Sequence, residues 1–549
     1  MFKKYIFSSL LVTFFIYSLF KPWRIDLTED NHFSIHESVK SVLKNIKSDV
    51  KINIYLCGDL PLEFKQLEKY VDLTLSNFQN YTKHYLNKQY IDINNVSDDE
   101  RTKVVNELKM FGLTSTNVLH KSRGKREEKT IYPCIIMEYK DKKIGVNLLS
   151  NATDVNKIVN NSIESLEYKI GKSIQKLVTE NKKKIAIITG HNEPLDTRTY
   201  DLQRFLNDEY QLDRVDLSQQ NDLSQYSIIL IIKPQTQYTE TEKYILDQYI
   251  MKGGKCFFCV DTLSFDLKKM INSTTFAFHL DTNLDDMLYR YGVRINNDLI
   301  KDLQCGVQPI VTGNIGNKPQ ITLLPLPFYV IANKSGYNHV ITKNINSVYC
   351  QFVSHLDPIN TKGVNHIPLL TSSPNSGCIG SPIIFDLNEL KTEPDRNLYN
   401  KGPIPFCYLL EGTFQSAFLG RMIPEQFNDH DFVSSSVNTK MIVMAPGNML
   451  FNSYSHQYKK LLPWGQDPYM QYKFDNCEFI LNAISFLIDS QGVINSKNKN
   501  YQLHMLNTKL VDEYSLHWRL LNILGPIFLV LLMMLISFIT RRSILNSRK

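Results

Sequence analysis

Lys184-Ile185-Ala186-Ile187-Ile188-Thr189-Gly190 is apolar at four successive positions and is closed by a glycine. A strand with no polar face needs cover on both sides, which a central parallel strand receives from the helices of its crossovers. The residues downstream keep the rhythm that such a strand requires. A helix is expected around Thr199 to Asn207, a short strand at Leu212 to Leu217, and a second fully buried strand at Ser227 to Lys233. Thr239 to Lys252 reads as a helix stopped by Gly253-Gly254, and Lys255 to Asp261 as the next strand. This alternation predicts a doubly wound α/β domain over residues 184–489, with insertions in its second half. In that half Leu284 to Tyr291 is expected as a helix before Gly292, and Val293 to Ile295 as a strand. Pro325 to Pro327 should be extended, Ile404 to Gly412 and Lys440 to Ala445 should be strands, and Asn476 to Asp489 an amphipathic helix.

Upstream, residues 24–180 predict a smaller α/β domain of thioredoxin-like class. Ser34-x-x-Glu37 reads as a capping box opening a helix to about Lys47. Val50, Ile52, Ile54 and Leu56 alternate along a strand, and Leu67, Val71, Leu75 and Phe78 recur at helical spacing between Phe64 and His84. A strand beginning at Tyr90 to Ile93 completes a βαβ unit. A helix and strand over Val104 to Leu119 and strands at Thr130 to Tyr139 and Lys142 to Leu148 extend it, and Ser162 to Glu180 is amphipathic. The basic run Lys121 to Lys129 fits a solvated hairpin tip, with a lipid-headgroup contact as the competing reading.

Both ends are greasy. Leu520 to Thr540 runs for 21 residues without a charge, long enough at 1.5 Å per residue to cross a hydrocarbon core of about 30 Å. Arg541, Arg542, Arg548 and Lys549 follow it, so residues 541–549 form a basic tail expected on the cytoplasmic side. Tyr5 to Phe20 is a shorter uncharged run behind the tip of residues 1–4, and Phe20-Lys21-Pro22-Trp23 offers no small-x-small cleavage site. It is expected to be an uncleaved anchor. A polar stalk, residues 490–519, then returns the chain to an inner-membrane bilayer, with both termini cytoplasmic and the body periplasmic.

Composition limits the chemistry. Of the residues 43% are hydrophobic and 21% charged, enough for packed cores, while a formal charge of +7 spread over 549 residues leaves no nucleic-acid footprint. Nine cysteines at irregular spacing do not make a disulfide framework, although one or two bridges remain open. Cys256 and Cys259 stand three apart on an expected strand, where they point to opposite faces and cannot bridge. There is no phosphate loop of the Gly-x-x-x-x-Gly-Lys-Ser/Thr type and no nucleophile elbow. No catalytic residue, metal or cofactor is therefore assigned. Ligands of open α/β sheets bind beyond the carboxyl ends of strands, which singles out Gly190, His191, Asn192 and Glu193 as a possible ligand-facing loop. His191 and Glu193 fit an acid–base or ligand pair as well as a capping device.

Arg24-x-Asp26-Leu27-Thr28, the run from Val50 to Phe64 with Gly58-Asp59-Leu60-Pro61, and Ile404-Pro405 with Leu410-Glu411-Gly412-Thr413-Phe414, Ser416 and Gly420-Arg421 resemble the gliding-motility-associated ABC transporter substrate-binding protein family GldG of Bacteroidetes-type bacteria. The likeness spans nearly the whole chain. It departs where the family has Asp-Gly-Asp at a strand end and this chain has Ala445-Pro446-Gly447-Asn448. The resemblance implies a non-enzymatic periplasmic auxiliary subunit working with a separate ABC-type ATPase and a multi-span permease on an unspecified cargo. It also implies a glutamine-amidotransferase-like α/β domain without that fold's catalytic residues. The competing readings are a membrane-tethered hydrolase or carbohydrate-binding protein using Gly190 to Glu193, and a structural envelope tether.

Overall fold

A computed structural model describes residues 34–546 apart from 123–124, 151–154, 265–273, 317, 335–338, 428, 456–457, 471, 490 and 499–513. The expected anchor at Tyr5 to Phe20, the Arg24 to Thr28 segment and much of the expected stalk lie outside the described residues. The chain divides into two compact units, residues 1–500 and 501–549.

Residues 34 to 147 build a four-stranded sheet with a hairpin beside it. The strands are β1 (Val50–Ile54), β2 (Leu86–Tyr90), β3 (Thr116–Ser122), β4 (Lys125–Ile131), β5 (Cys134–Tyr139) and β6 (Lys142–Asn147). The sheet order is β2-β1-β5-β6, and β3 pairs with β4. β1 and β2 are parallel and joined by the helix Leu62–Gln79, so the βαβ unit expected from periodicity is present. Its alternation holds: Val50, Ile52 and Ile54 are each at most 1% exposed. Three details differ from expectation. His36 rather than Ser34 caps the helix Glu37–Lys44, accepting from Ser38 N through Nδ1. The returning strand is Leu86–Tyr90, ahead of Tyr90 to Ile93, because Gln79 bonds the His84 carbonyl and the Leu86 amide and starts the strand early. Thr130 to Tyr139 divides into the end of β4 and β5, since Pro133 cannot donate to a ladder.

The larger sheet starts with β7 (Lys184–Thr189), β8 (Gln211–Asp216), β9 (Ile228–Ile232) and β10 (Cys256–Cys259). These run parallel in the order β8-β7-β9-β10, and Thr439–Met444 adds a fifth parallel strand beside β10. Pro405–Gly412 and Val364–Thr371 then continue the sheet antiparallel, followed by the ribbon of Lys318–Lys334 and Cys305–Ile315. The sheet is thus mixed. Every residue of β9 and β10 is buried, as their unbroken apolar sequences require. Cys256 and Cys259 are both fully buried and unbridged.

Thr239 caps the helix Glu240–Met251 in a capping box with Glu242, and the chain leaves that helix through Gly253 at φ +92°. The helix Val155–Val178 packs against the helices Glu37–Lys44 and Leu62–Gln79, and its lysines reach the larger sheet's helices. Lys172 Nζ lies 3.2 Å from Glu209 and 3.1 Å from Ser485 Oγ, and Lys176 Nζ lies 3.0 Å from Glu209. Beyond residue 500 the described chain is one helix, Ser515–Asn546, with Pro526 inside it. Ser515–Leu535 is long and apolar enough to cross a membrane, and its large side chains, such as Leu521 at 64% and Phe528 at 65%, are exposed.

Candidate functional site

The carboxyl ends of the parallel strands carry two polar clusters. At the end of β7, Gly190 takes φ +115° and Asn192 φ +56°, so the chain reverses within three residues. Gly190 and Asn192 face solvent, whereas His191 is 3% exposed and the Glu193 side chain 2%. The imidazole stacks on the Tyr238 ring with centroids 3.6 Å apart. Its Nδ1 lies 3.4 Å from Glu193 Oε1 and its Nε2 3.3 Å from Glu242 Oε2. Glu193 Oε2 also accepts from the His191 amide at 2.9 Å. Burial opposes a charge on His191, but Glu193 and Glu242 outweigh it and hold the imidazole above its ordinary value.

Glu242 is the same carboxylate that closes the capping box. It accepts from Thr239 N and Thr239 Oγ1, each at 2.8 Å. His191 therefore fastens the loop after β7 to the N-terminus of the helix Glu240–Met251. The main chain adds to the joint, because Gln235 N donates to the His191 carbonyl at 2.8 Å. The imidazole is thus buried on Tyr238 and between two carboxylates, with His191 Nδ1 and Glu193 Oε1 close together but making no hydrogen bond. What the loop offers outward is the backbone at Gly190 and the amide of Asn192.

The second cluster lies beyond β9, β10 and Thr439–Met444. Lys233 directly follows β9 at φ +49°, and its Nζ reaches Asp261 Oδ2 at 2.7 Å and Asn448 Oδ1 at 2.8 Å. Asp261 Oδ1 accepts from Gly447 N at 2.7 Å. A Cβ on Gly447 would stand 2.8 Å from Lys233 Cδ and 2.9 Å from Asp261 Oδ1, so only glycine lets the loop come this close. Ala445 to Asn448 thus joins the polar edge as a neutral partner of an ion pair. No motif or period in the sequence points to Lys233, Tyr238, Glu242 or Asp261 as part of these clusters. A charged residue placed directly after an all-apolar strand, as in Ile232-Lys233 and Val260-Asp261, is the signal that could have found two of them.

A cleft of about 1160 Å³ opens elsewhere, where Lys142, Lys176 and Lys183 face Asp201, Glu209 and Asp489. Its charges alternate in sign, so it presents no uniform potential to a charged ligand.

Residues 182–483 match the family described as ABC-type uncharacterized transport system, and residues 29–138 match a domain of unknown function, DUF7088. No curated protein matches the chain. Among solved structures, the mmIFT52 N-terminal domain is similar at 13% identity, over 58% of this chain and 100% of that one, with a TM-score of 0.31. A likeness of that size carries no argument. The family match covers more than half of the chain, including both polar clusters and the whole parallel part of the sheet, and the chain therefore belongs to the ABC-type uncharacterized transport system family of ABC transporter auxiliary proteins.

Proposed function

We propose that the chain is a non-enzymatic, membrane-anchored auxiliary subunit of an ABC-type transporter of the GldG kind, working with a separate ATPase and a multi-span permease in gliding motility. The observation that carries this reading is the exposed apolar helix Ser515–Leu535 on a member of an ABC transporter auxiliary family. Trp518 at the start of that helix is an interfacial type, and Arg541 and Arg542 support a cytoplasmic far end by the positive-inside rule. The body is then periplasmic. The Gly190 to Glu193 loop serves as a contact surface through its outward backbone and Asn192. The burial of the His191 and Glu193 side chains, away from the exposed backbone of the loop, favours this over the hydrolase reading.

Gentle detergent extraction of the native membrane tests the proposal. Co-purification of an ATPase and a multi-span permease is expected, and a chain recovered alone and monodisperse would sink it. Substituting His191 and Glu193 together with Ala distinguishes the hydrolase reading. An auxiliary subunit should lose stability in step with any loss of function, whereas an enzyme would lose function with its melting temperature intact.

A further inference from the structure

Asp298 opens the strand Asp298–Asp302, which pairs antiparallel with Ser376–Gly380 so that Asp298 lies opposite Gly380 and Ile300 opposite Cys378. Residues two apart on a strand share a face, and so do cross-strand partners. Asp298 and Cys378 therefore project from one face, a single diagonal step apart. His355 approaches the same face ahead of Leu356–Pro358, with its amide donating to Asp298 Oδ1 at 3.1 Å and its Nδ1 2.6 Å from Asp298 Oδ2. A carboxylate oxygen of Asp298, a ring nitrogen of His355 and Sγ of Cys378 all lie within 4.8 Å of one another. A pocket of about 560 Å³, lined by Asp298, His355, Asn296 and Asp285, leads to the first two.

We propose that Asp298, His355 and Cys378 bind a borderline-soft divalent cation, with Zn²⁺ as the ion that fits them, its fourth position open to this pocket. Oxygen, nitrogen and sulfur together suit Zn²⁺, whereas Ca²⁺ and Mg²⁺ take oxygen ligands. Tetrahedral Zn²⁺ holds its nitrogen and oxygen ligands about 3.3 Å apart, so the hydrogen bond between Asp298 and His355 opens by about 0.7 Å when the ion enters. The ion displaces the thiol proton to solvent, and the ring proton of neutral His355 moves from Nδ1 to Nε2 as Nδ1 takes the ion. Nε2 then carries that proton and needs an acceptor. Asn296 Nδ2 lies 3.0 Å from Nε2 and 2.9 Å from Asp357 Oδ2, so this amide has to turn aside for Asp357 Oδ2, 3.4 Å from Nε2, to become the outer carboxylate that metal-bound histidines commonly have.

A thiol nucleophile is the competing reading of an Asp, His and Cys set. Burial pushes the Cys378 thiol up to about 12, and the Asp298 carboxylate pushes the same way, the reverse of what an attacking thiolate needs. Lys401 pulls the other way without offsetting them.

The test uses the full chain in detergent, stripped by a chelator and then titrated with Zn²⁺ alone or Co²⁺ alone. One ion per chain is expected, with a thiolate-to-Co²⁺ charge-transfer band. Cys378→Ser should abolish the band, and Asp357→Asn should weaken Zn²⁺ binding about tenfold through the outer contact. Cys305→Ser, at another half-buried cysteine, should change neither. If Cys378→Ser does not fold, His355→Gln and Asp298→Asn must each weaken Zn²⁺ uptake at least tenfold. Uptake well below one ion per chain, a band that survives Cys378→Ser, or variants that bind as the parent does would each overturn the site.

Discussion

Glu209 meets two lysines of another helix at 3.2 and 3.0 Å with only 15% of its side chain exposed. Burial raises its carboxyl, but Lys172 and Lys176 prevail and bring it to about 2 from an ordinary 4.5. A depressed carboxylate stabilises the folded state above its unfolded value, and that stability is lost as pH falls from 4.5 towards 2. The contribution is at most about 3 kcal/mol. Urea midpoints taken between pH 6 and pH 3 should therefore fall more steeply in the parent than in Glu209→Gln; parallel curves would remove Glu209 from the account. His191 has the opposite sign. Its raised value contributes stability below the unfolded range of histidine that is lost as pH rises through the folded value. At this scale the sequence showed His191 and Glu193 as neighbours, but not that both turn inward. Glu242 lies 51 residues from His191, and no spacing rule links them.

The helix Glu240–Met251 shows how one element serves two purposes. Its capping box satisfies the free amides of the first turn, and the same Glu242 receives His191. Thr239→Ala should cost about 1 to 2 kcal/mol in urea unfolding and should loosen the His191 loop, read as faster amide exchange at Gly190 and His191. A cost with no change in exchange at the loop would separate the two roles. In the neighbouring strand, Phe258 is fully buried between β9 and Thr439–Met444, so Phe258→Ala should cost about 3 to 5 kcal/mol. Elements of this kind were legible. β7, β9 and β10, and the strand Pro405–Gly412, fall within a few residues of their expected places because unbroken apolar runs have one comfortable environment. The ribbon Cys305–Ile315 with Lys318–Lys334 was not legible, apart from the extended Pro325 to Pro327. Its outer half is solvated on both faces, leaving Val311, Ile315 and Ile321 exposed, and so it prints no alternation.

For the whole molecule, the division at residue 500 separates a packed body from the apolar helix. Removal of residues 501–549 should change the body's melting temperature by no more than about 2 °C, because among the described residues no side chain of the body's core lies beyond residue 500. The exposed apolar face of Ser515–Leu535 would go with it. Alkaline carbonate extraction of a chain lacking residues 1–23 should then report whether the C-terminal helix suffices to hold the chain: it is expected in the pellet, and its release into the supernatant would remove the anchor.

Strands such as β7, β9 and β10, the C-terminal apolar helix and the absence of a phosphate loop could be read from the residues alone, since each depends on residues adjacent or one turn apart. Contacts across the fold could not. Only the tertiary structure made the large sheet mixed, tied His191 to Glu242 and Lys233 to Asp261, and gathered Asp298, His355 and Cys378 from three segments. Polar groups that meet across dozens of residues leave no period in a sequence, because burial and hydrogen bonding select partners by position in space.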